Sequence, residues 1–274
     1  MKQEEMPPTE LAKMRVVYSI PRADAVTVRR DLPYRGTGPG SPTLDVYYPP
    51  AAAVGNRLPA VLLVYGYPDA GARNVFGRSF KEMGSTVSWA RLIAASGMVA
   101  IAYSNRDPVE DVQAVIEYIR ENSSSLGIDD VRLGLWAASG NVPLALWLLM
   151  QRERPAIRCA APCYGLMLDL HGATPVVDAQ RAFGFANPCA GKSVDDVRDD
   201  VPLLVVRAGR DQFAGINDSI DSFVWDAVRR DLPVTMINHA GAPHAFDLFH
   251  DSEASREIIR QILRFMEFHL AGSA

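Results

Sequence analysis

A serine, an aspartate and a histidine occur in that order, each just past a short apolar run. Ser139 follows residues 132–136, Asp211 follows 203–207, and His244 lies in a loop of small residues after 234–238. A serine hydroxyl is a weak nucleophile and needs a base to take its proton. Histidine does this near neutral pH, and a carboxylate on the other ring nitrogen holds its tautomer and stabilises the imidazolium. Ser139 stands in Trp-Ala-Ala-Ser-Gly-Asn-Val-Pro, with small residues on both sides. A sharp strand-to-helix turn there would expose its oxygen and aim the next backbone N–H, that of Gly140, at a developing oxyanion. The competing reading is a serine that merely caps the following helix, and Pro143 in the first turn suits either. The two partners later in the chain favour the nucleophile. Asp218 and Asp221 compete with Asp211, which sits soonest after its run. His239 and His250 compete with His244, whose loop can bend back over a sheet.

The elements that must carry these residues follow from hydrophobic patterning. Residues 26–30 and 43–48 read as a hairpin, with the glycine-rich stretch between them as turn material. Gly36, Gly38 and Gly40 do not form a phosphate loop, because no helix follows. From residue 58, continuous apolar runs at 60–65, 98–103, 132–136, 157–164, 203–207 and 234–238 alternate with helical patterns at 88–95, after 139, at 219–230 and at the C-terminus. Val112, Val115, Ile116 and Ile119 share one helix face. Runs that are apolar throughout are expected to be strands covered on both faces. Their alternation with helices predicts an α/β fold with a mostly parallel sheet and an N-terminal antiparallel hairpin. Ligands on such sheets bind at the carboxyl ends of the strands, where the three residues lie. Residues 1–23 are expected to form an arm, and residues 24–274 one domain with a small cap-like insertion around 165–200.

Four further stretches carry a resemblance: Leu-Asp-Val-Tyr-Tyr-Pro (44–49), Gly-Ile-Asp-Asp-Val-Arg-Leu-Gly-Leu-Trp (127–136), Gly-Arg-Asp (209–211) and Gly-Ala-Pro-His-Ala-Phe (241–246). In this order the chain resembles the α/β-hydrolase family, in its esterase and dienelactone-hydrolase-like branch, from about Thr43 to Leu270. The resemblance implies a serine hydrolase acting on a carboxylic ester, with Ser139, Asp211 and His244 as its triad and no cofactor. The family turn is Gly-x-Ser-x-Gly, whereas this chain has Ala137 and Asn141 at the glycine positions. Asn141 could crowd the helix or reach a substrate or a loop with its amide. The turn Tyr65-Gly66-Tyr67-Pro68 stands where the family supplies a second oxyanion donor. Gly66 and Tyr67 are therefore candidates, and Pro68 has no N–H to give. A hydroxyl of Tyr65 or Tyr67 could assist, as in serine peptidases of the prolyl oligopeptidase type. Tyr65, Asn141, Phe183, Phe185 and Phe246 are candidate pocket residues. A peptidase or amidase, and a ligand-binding protein without turnover, remain as alternatives.

Composition limits the partners. The 274 residues are 48% hydrophobic and carry a net charge of −4, which gives no basic surface for nucleic acid or an anionic membrane. Cys159, Cys163 and Cys189 are too few and too scattered for a disulfide framework. They read as reduced thiols in a cytoplasmic protein, with no metal site. The first residues lack the apolar stretch of a secretory leader, so none is expected. The expected partner is a small-molecule ester, and homo-oligomerisation is left open.

Overall fold

The apolar runs become neighbouring strands of one sheet. The computed structural model describes residues 6–38, 40–50, 57–151 and 157–271. Its strands are β1 (Thr27–Pro33), β2 (Thr43–Tyr48), β3 (Leu58–Leu63), β4 (Val99–Tyr103), β5 (Ile128–Ala138), β6 (Ile157–Cys163), β7 (Leu203–Ala208) and β8 (Val234–His239). Its helices are α1 (Pro8–Leu11), α2 (Asp69–Phe76), α3 (Gly84–Ala95), α4 (Pro108–Glu121), α5 (Ser123–Leu126), α6 (Val142–Leu149), α7 (Pro175–Phe183), α8 (Ile216–Arg229), α9 (Phe246–Phe249) and α10 (Glu253–Leu270). The strand order is β1-β2-β4-β3-β5-β6-β7-β8. β1 and β2 pair antiparallel, as do β2 and β4, and every other pairing is parallel.

Sequence explains most element ends. The Asp107 side chain accepts hydrogen bonds from the Val109 and Glu110 N–H groups, and Pro108 follows at the first helical position, so α4 starts there. Val112, Val115, Ile116 and Ile119 bury its inner face. Gly97, at φ +96°, ends the turn after α3. α3 starts at Gly84, earlier than the apolar pattern indicates, because the Gly84 N–H is held by the Ala12 carbonyl at 2.8 Å. β5 starts at Ile128 rather than 132. Its first residues pair alongside Leu58 but Asp129 and Asp130 lie at the surface, so no apolar signal marks them.

Both faces of the central strands are covered. Leu133, Leu135 and Trp136 are all buried. Gly134 and Trp136, two apart and so on one face of β5, meet Leu270 of α10 and Trp89 of α3. The opposite face is left to α4, α6 and α8, which contact β5, β5–β6 and β7–β8. β8 departs from the expected pattern: Thr235, Met236 and Asn238 are exposed, because it is the edge strand. The cysteines are buried and unpaired.

Residues 12–17 are tied to the body of the domain through their backbone groups. Beyond the bond from Gly84, the Val16 N–H is donated to Ser88 Oγ at 3.0 Å and the Val17 N–H to the Asp247 carbonyl at 2.8 Å. On the other edge, the β1–β2 ladder shifts register between Arg29 and Leu32, a bulge with Asp31 at φ +55°. The Asp31 N–H is donated to Asp45 Oδ1 at 2.9 Å, and the buried Lys81 ammonium joins the two carboxylates.

Candidate active site

β5, β7 and β8 run parallel and end at Ala138, Ala208 and His239, so the residues after them gather at one sheet edge. Ser139 follows β5 at φ +59°, in the left-handed region, where a non-glycine residue bears about 1–3 kcal/mol of strain. A single turn, Ser139–Asn141, then leads into α6. The Ser139 hydroxyl caps no helix; its Oγ stands 2.9 Å from His244 Nε2. His244 Nδ1 stands 2.6 Å from Asp211 Oδ2. Facing a carboxylate, Nδ1 carries the ring proton, and Nε2 is left to accept from the serine. The Asp211 side chain is fully buried, and its Oδ1 accepts the Phe213 N–H at 3.0 Å. The His244 N–H is donated to Gln212 Oε1 at 3.2 Å, and the rings of Phe213 and Tyr164 meet the imidazole edge-on at 4.7 and 5.2 Å. Of the competing residues, Asp221 pairs with Arg207, and His239 and His250 both bond to Ser255, whereas Asp218 lies on α8 away from the imidazole it would have to orient, which Asp211 occupies.

The turn after β3 lies against the serine turn. A Cβ on Gly66 would stand 2.8 Å from the Gly140 carbonyl, so that position demands glycine, and one on Gly140 would press on the hydroxyl end of the Tyr67 side chain. Asn141 bridges the two turns. Its Oδ1 accepts the Gly66 N–H at 2.8 Å, and its Nδ2 donates to the Ala138 carbonyl at 3.0 Å. The amide thus reaches a loop, and it takes the Gly66 N–H out of the oxyanion donors read from the sequence. Among the described residues the Tyr67 N–H finds no acceptor. The two tyrosines also separate. Tyr65 is buried in the core, with its N–H on the Tyr103 hydroxyl and its ring on Phe80, and it lines neither cavity at the serine. Tyr67 stands over Gly140, and burial pushes its hydroxyl up to about 12, so it is a protonated donor at neutral pH.

Two cavities, of about 550 and 680 Å³, meet at Tyr67, Ser139, Phe183 and His244. The first continues past Phe185, Phe213 and Ile216, the second past Leu11, Val75 and Phe249. Phe183 and Phe185 line the first cavity, and Asn141 borders the second. Phe246 does not line either one. It is buried behind the histidine, packed against Tyr164 and His239, because the chain turns inward into α9.

Sequence reading missed Asp247. Its carboxylate is buried and accepts the Tyr164 hydroxyl and Trp89 Nε1, both at 2.7 Å, and burial raises its pKa above the ordinary carboxylate value. Its position three residues past His244 is the only sequence signal it offers. Among the described residues no group of three or more His, Cys, Asp or Glu could hold a metal ion, and no helix is long and apolar enough to cross a membrane.

No protein-family model matches the chain, and no curated protein matches it. Solved structures do. The propionate-bound esterase Est2 of Thermogutta terrifontis is 17% identical at a TM-score of 0.67, covering 93% of this chain and 98% of that one. Esterase B from Lactobacillus rhamnosis, inhibited by a C6-C4 SN3 compound, is 16% identical at 0.66, covering 89% and 87%. A bacterial heroin esterase is 13% identical at 0.66, covering 93% and 88%. Together with the strand order, these similarities give the chain the α/β-hydrolase fold.

Proposed function

We propose that this chain is a serine hydrolase of carboxylic esters. The observation that carries the reading is the line from Ser139 Oγ through His244 to Asp211, at 2.9 and 2.6 Å, with the serine on a strained turn at the mouth of two cavities. The Ser139 oxygen attacks the ester carbonyl as its proton passes to His244 Nε2. Asp211 holds Nδ1 protonated and stabilises the imidazolium. The Gly140 and Tyr67 N–H groups receive the oxyanion. On collapse the carbonyl–alkoxy bond breaks, and His244 gives its proton to the departing alcohol. His244 then takes a proton from water as that water attacks the acyl-serine, and on collapse the bond from the acyl carbon to Ser139 Oγ breaks, His244 returns its proton to Oγ and the acid is released. Nothing in this sequence of steps requires a cofactor. The stretch from Leu166 through α7 to Phe185 serves as a small cap over the site. The Est2 structures phosphonylated by sarin and phosphoramylated by tabun support the reading by analogy of fold.

The test is intact mass after exposure to a fluorophosphonate. A single adduct on the wild type, absent from Ser139→Ala, is expected. Correctly folded protein that takes up no adduct would overturn the reading.

A further inference from the structure

Asp211 holds the His244 ring by one atom. A single hydrogen bond at Nδ1 fixes a point and leaves the imidazole free to pivot about it, yet Nε2 must meet Ser139 Oγ at 2.9 Å. A ring so held needs a second support to stay aimed. Two other rings touch it: Phe213, 36% exposed at the cavity mouth, and Tyr164, which is buried. Tyr164 is anchored at both ends. Its N–H is donated to the Val206 carbonyl at 2.6 Å and its hydroxyl to Asp247 Oδ1 at 2.7 Å.

Asp247 is in turn fixed from three sides. Oδ1 takes the Tyr164 hydroxyl, Oδ2 takes Trp89 Nε1, and its backbone carbonyl takes the Val17 N–H. The backbone on both sides of the Tyr164–Asp247 bond is strained. Tyr164 lies at φ +35° and Ala245, between His244 and Asp247, at φ +50°. A residue with a side chain stays in the left-handed region only where its surroundings over-determine it. The bond joins these two bent segments, the one that follows β6 and the one that leaves the catalytic histidine. A fully buried carboxylate is a poor way to fill a core, because apolar groups of the same volume serve stability as well or better. The triad chemistry makes no use of it.

We propose that Asp247 is a positioning residue for the base. Through the Tyr164 hydroxyl it fixes the ring on which the His244 imidazole rests, and so keeps Nε2 aimed at Ser139 Oγ. The proposal rests on His244 acting as the base for Ser139.

Two variants each remove one hydrogen bond from the same carboxylate, and only one of them lies on the line to His244. Tyr164→Phe deletes the hydroxyl and keeps the ring; Trp89→Phe deletes the indole donor on the other oxygen. A small misplacement of a catalytic group can cost up to about 100-fold, so Tyr164→Phe should lower kcat on a short-chain ester by about 10–100-fold with little change in KM. The rate of fluorophosphonate labelling at Ser139 should fall with it. Trp89→Phe should lower Tm yet keep kcat within about twofold of wild type. Proton NMR reads the ring directly. The Nδ1 proton in the 2.6 Å bond to Asp211 should give a far-downfield resonance in the wild type and in Trp89→Phe, and should broaden or vanish in Tyr164→Phe. Asp247→Ala should cost at least as much kcat as Tyr164→Phe; if it does not fold, the two aromatic variants decide alone.

A Tyr164→Phe protein with kcat within about twofold of wild type, an unchanged downfield resonance in it, or an equal loss of kcat in Trp89→Phe would overturn the proposal, leaving the Asp247 cluster a packing device. Labelling of the wild type separates the two levels. Labelled Ser139 with any of those results removes the role of Asp247 alone, whereas unlabelled Ser139 in folded protein removes the hydrolase reading itself.

Discussion

Asn141→Ala removes both ends of the link between the serine turn and the turn after β3. The Gly66 N–H, which Asn141 Oδ1 accepts at 2.8 Å, is buried and would be left without that partner. An unpaired buried donor costs about 1–3 kcal/mol. At about 2–4 °C per kcal/mol for a chain somewhat smaller than this one, Tm should fall by about 2–12 °C. The larger effect is on rate. The Gly66 turn carries the Tyr67 N–H, and removal of one oxyanion donor typically costs about 100–1,000-fold in kcat. A donor that is loosened rather than deleted should forfeit part of that, about 10–100-fold. KM should change little, because these donors act on charge that develops only at the transition state. The assay is steady-state hydrolysis of a short-chain ester, with the rate of fluorophosphonate labelling at Ser139 as a second readout, expected to fall in parallel. A variant with lowered Tm but kcat within about twofold of wild type would refute the reasoning. Asn141 would then hold the two turns together without setting the oxyanion geometry.

Asp211→Asn should keep the fold but present an amide N–H to His244 Nδ1, shifting the ring proton to Nε2 so that it no longer accepts from Ser139; kcat should fall about 10⁴-fold, and a loss under tenfold would count against Asp211 as the orienting acid. Asp247 gives a pH-dependent prediction. Burial raises its folded pKa above the unfolded value, so its contribution to stability is fully present below the unfolded pKa and is lost as pH rises through the folded one. Urea unfolding from about pH 4 to about pH 7 should therefore show the wild type losing stability relative to Asp247→Asn as pH rises. A difference that stays constant with pH would refute a buried carboxyl with a raised pKa.

The parts of the site legible in sequence are those borne on strand ends. Ser139, Asp211 and His244 each follow an apolar run, and parallel strands bring such positions to one edge. Tyr65 and Tyr67 are of one type and two residues apart, and only the end of β3 separates them: Tyr65 continues into the core, whereas Tyr67 lies past the turn. Asp247 was illegible because its partners, Trp89 and Tyr164, come from distant elements and nothing local marks a buried carboxylate. The docking of the arm was illegible for another reason. It runs through the backbone groups of Ala12, Val16 and Val17, which carry no side-chain signature. Phe246 has the character of a pocket residue, but the inward course of α9 spends it on packing.

The bulge in β1 bears on solubility. A free sheet edge is a template on which a second copy can add a strand, and regular spacing of its N–H and C=O groups is what makes it one. At Asp31 that spacing is broken, with the backbone at φ +55° and the N–H turned inward to Asp45. Lys81 holds both carboxylates from beneath, and Arg29 and Arg30 add charge along the strand. Edge-to-edge growth through β1 would have to straighten the bulge and take Asp31 away from the buried Lys81, so this ion cluster opposes addition of a further strand along that side.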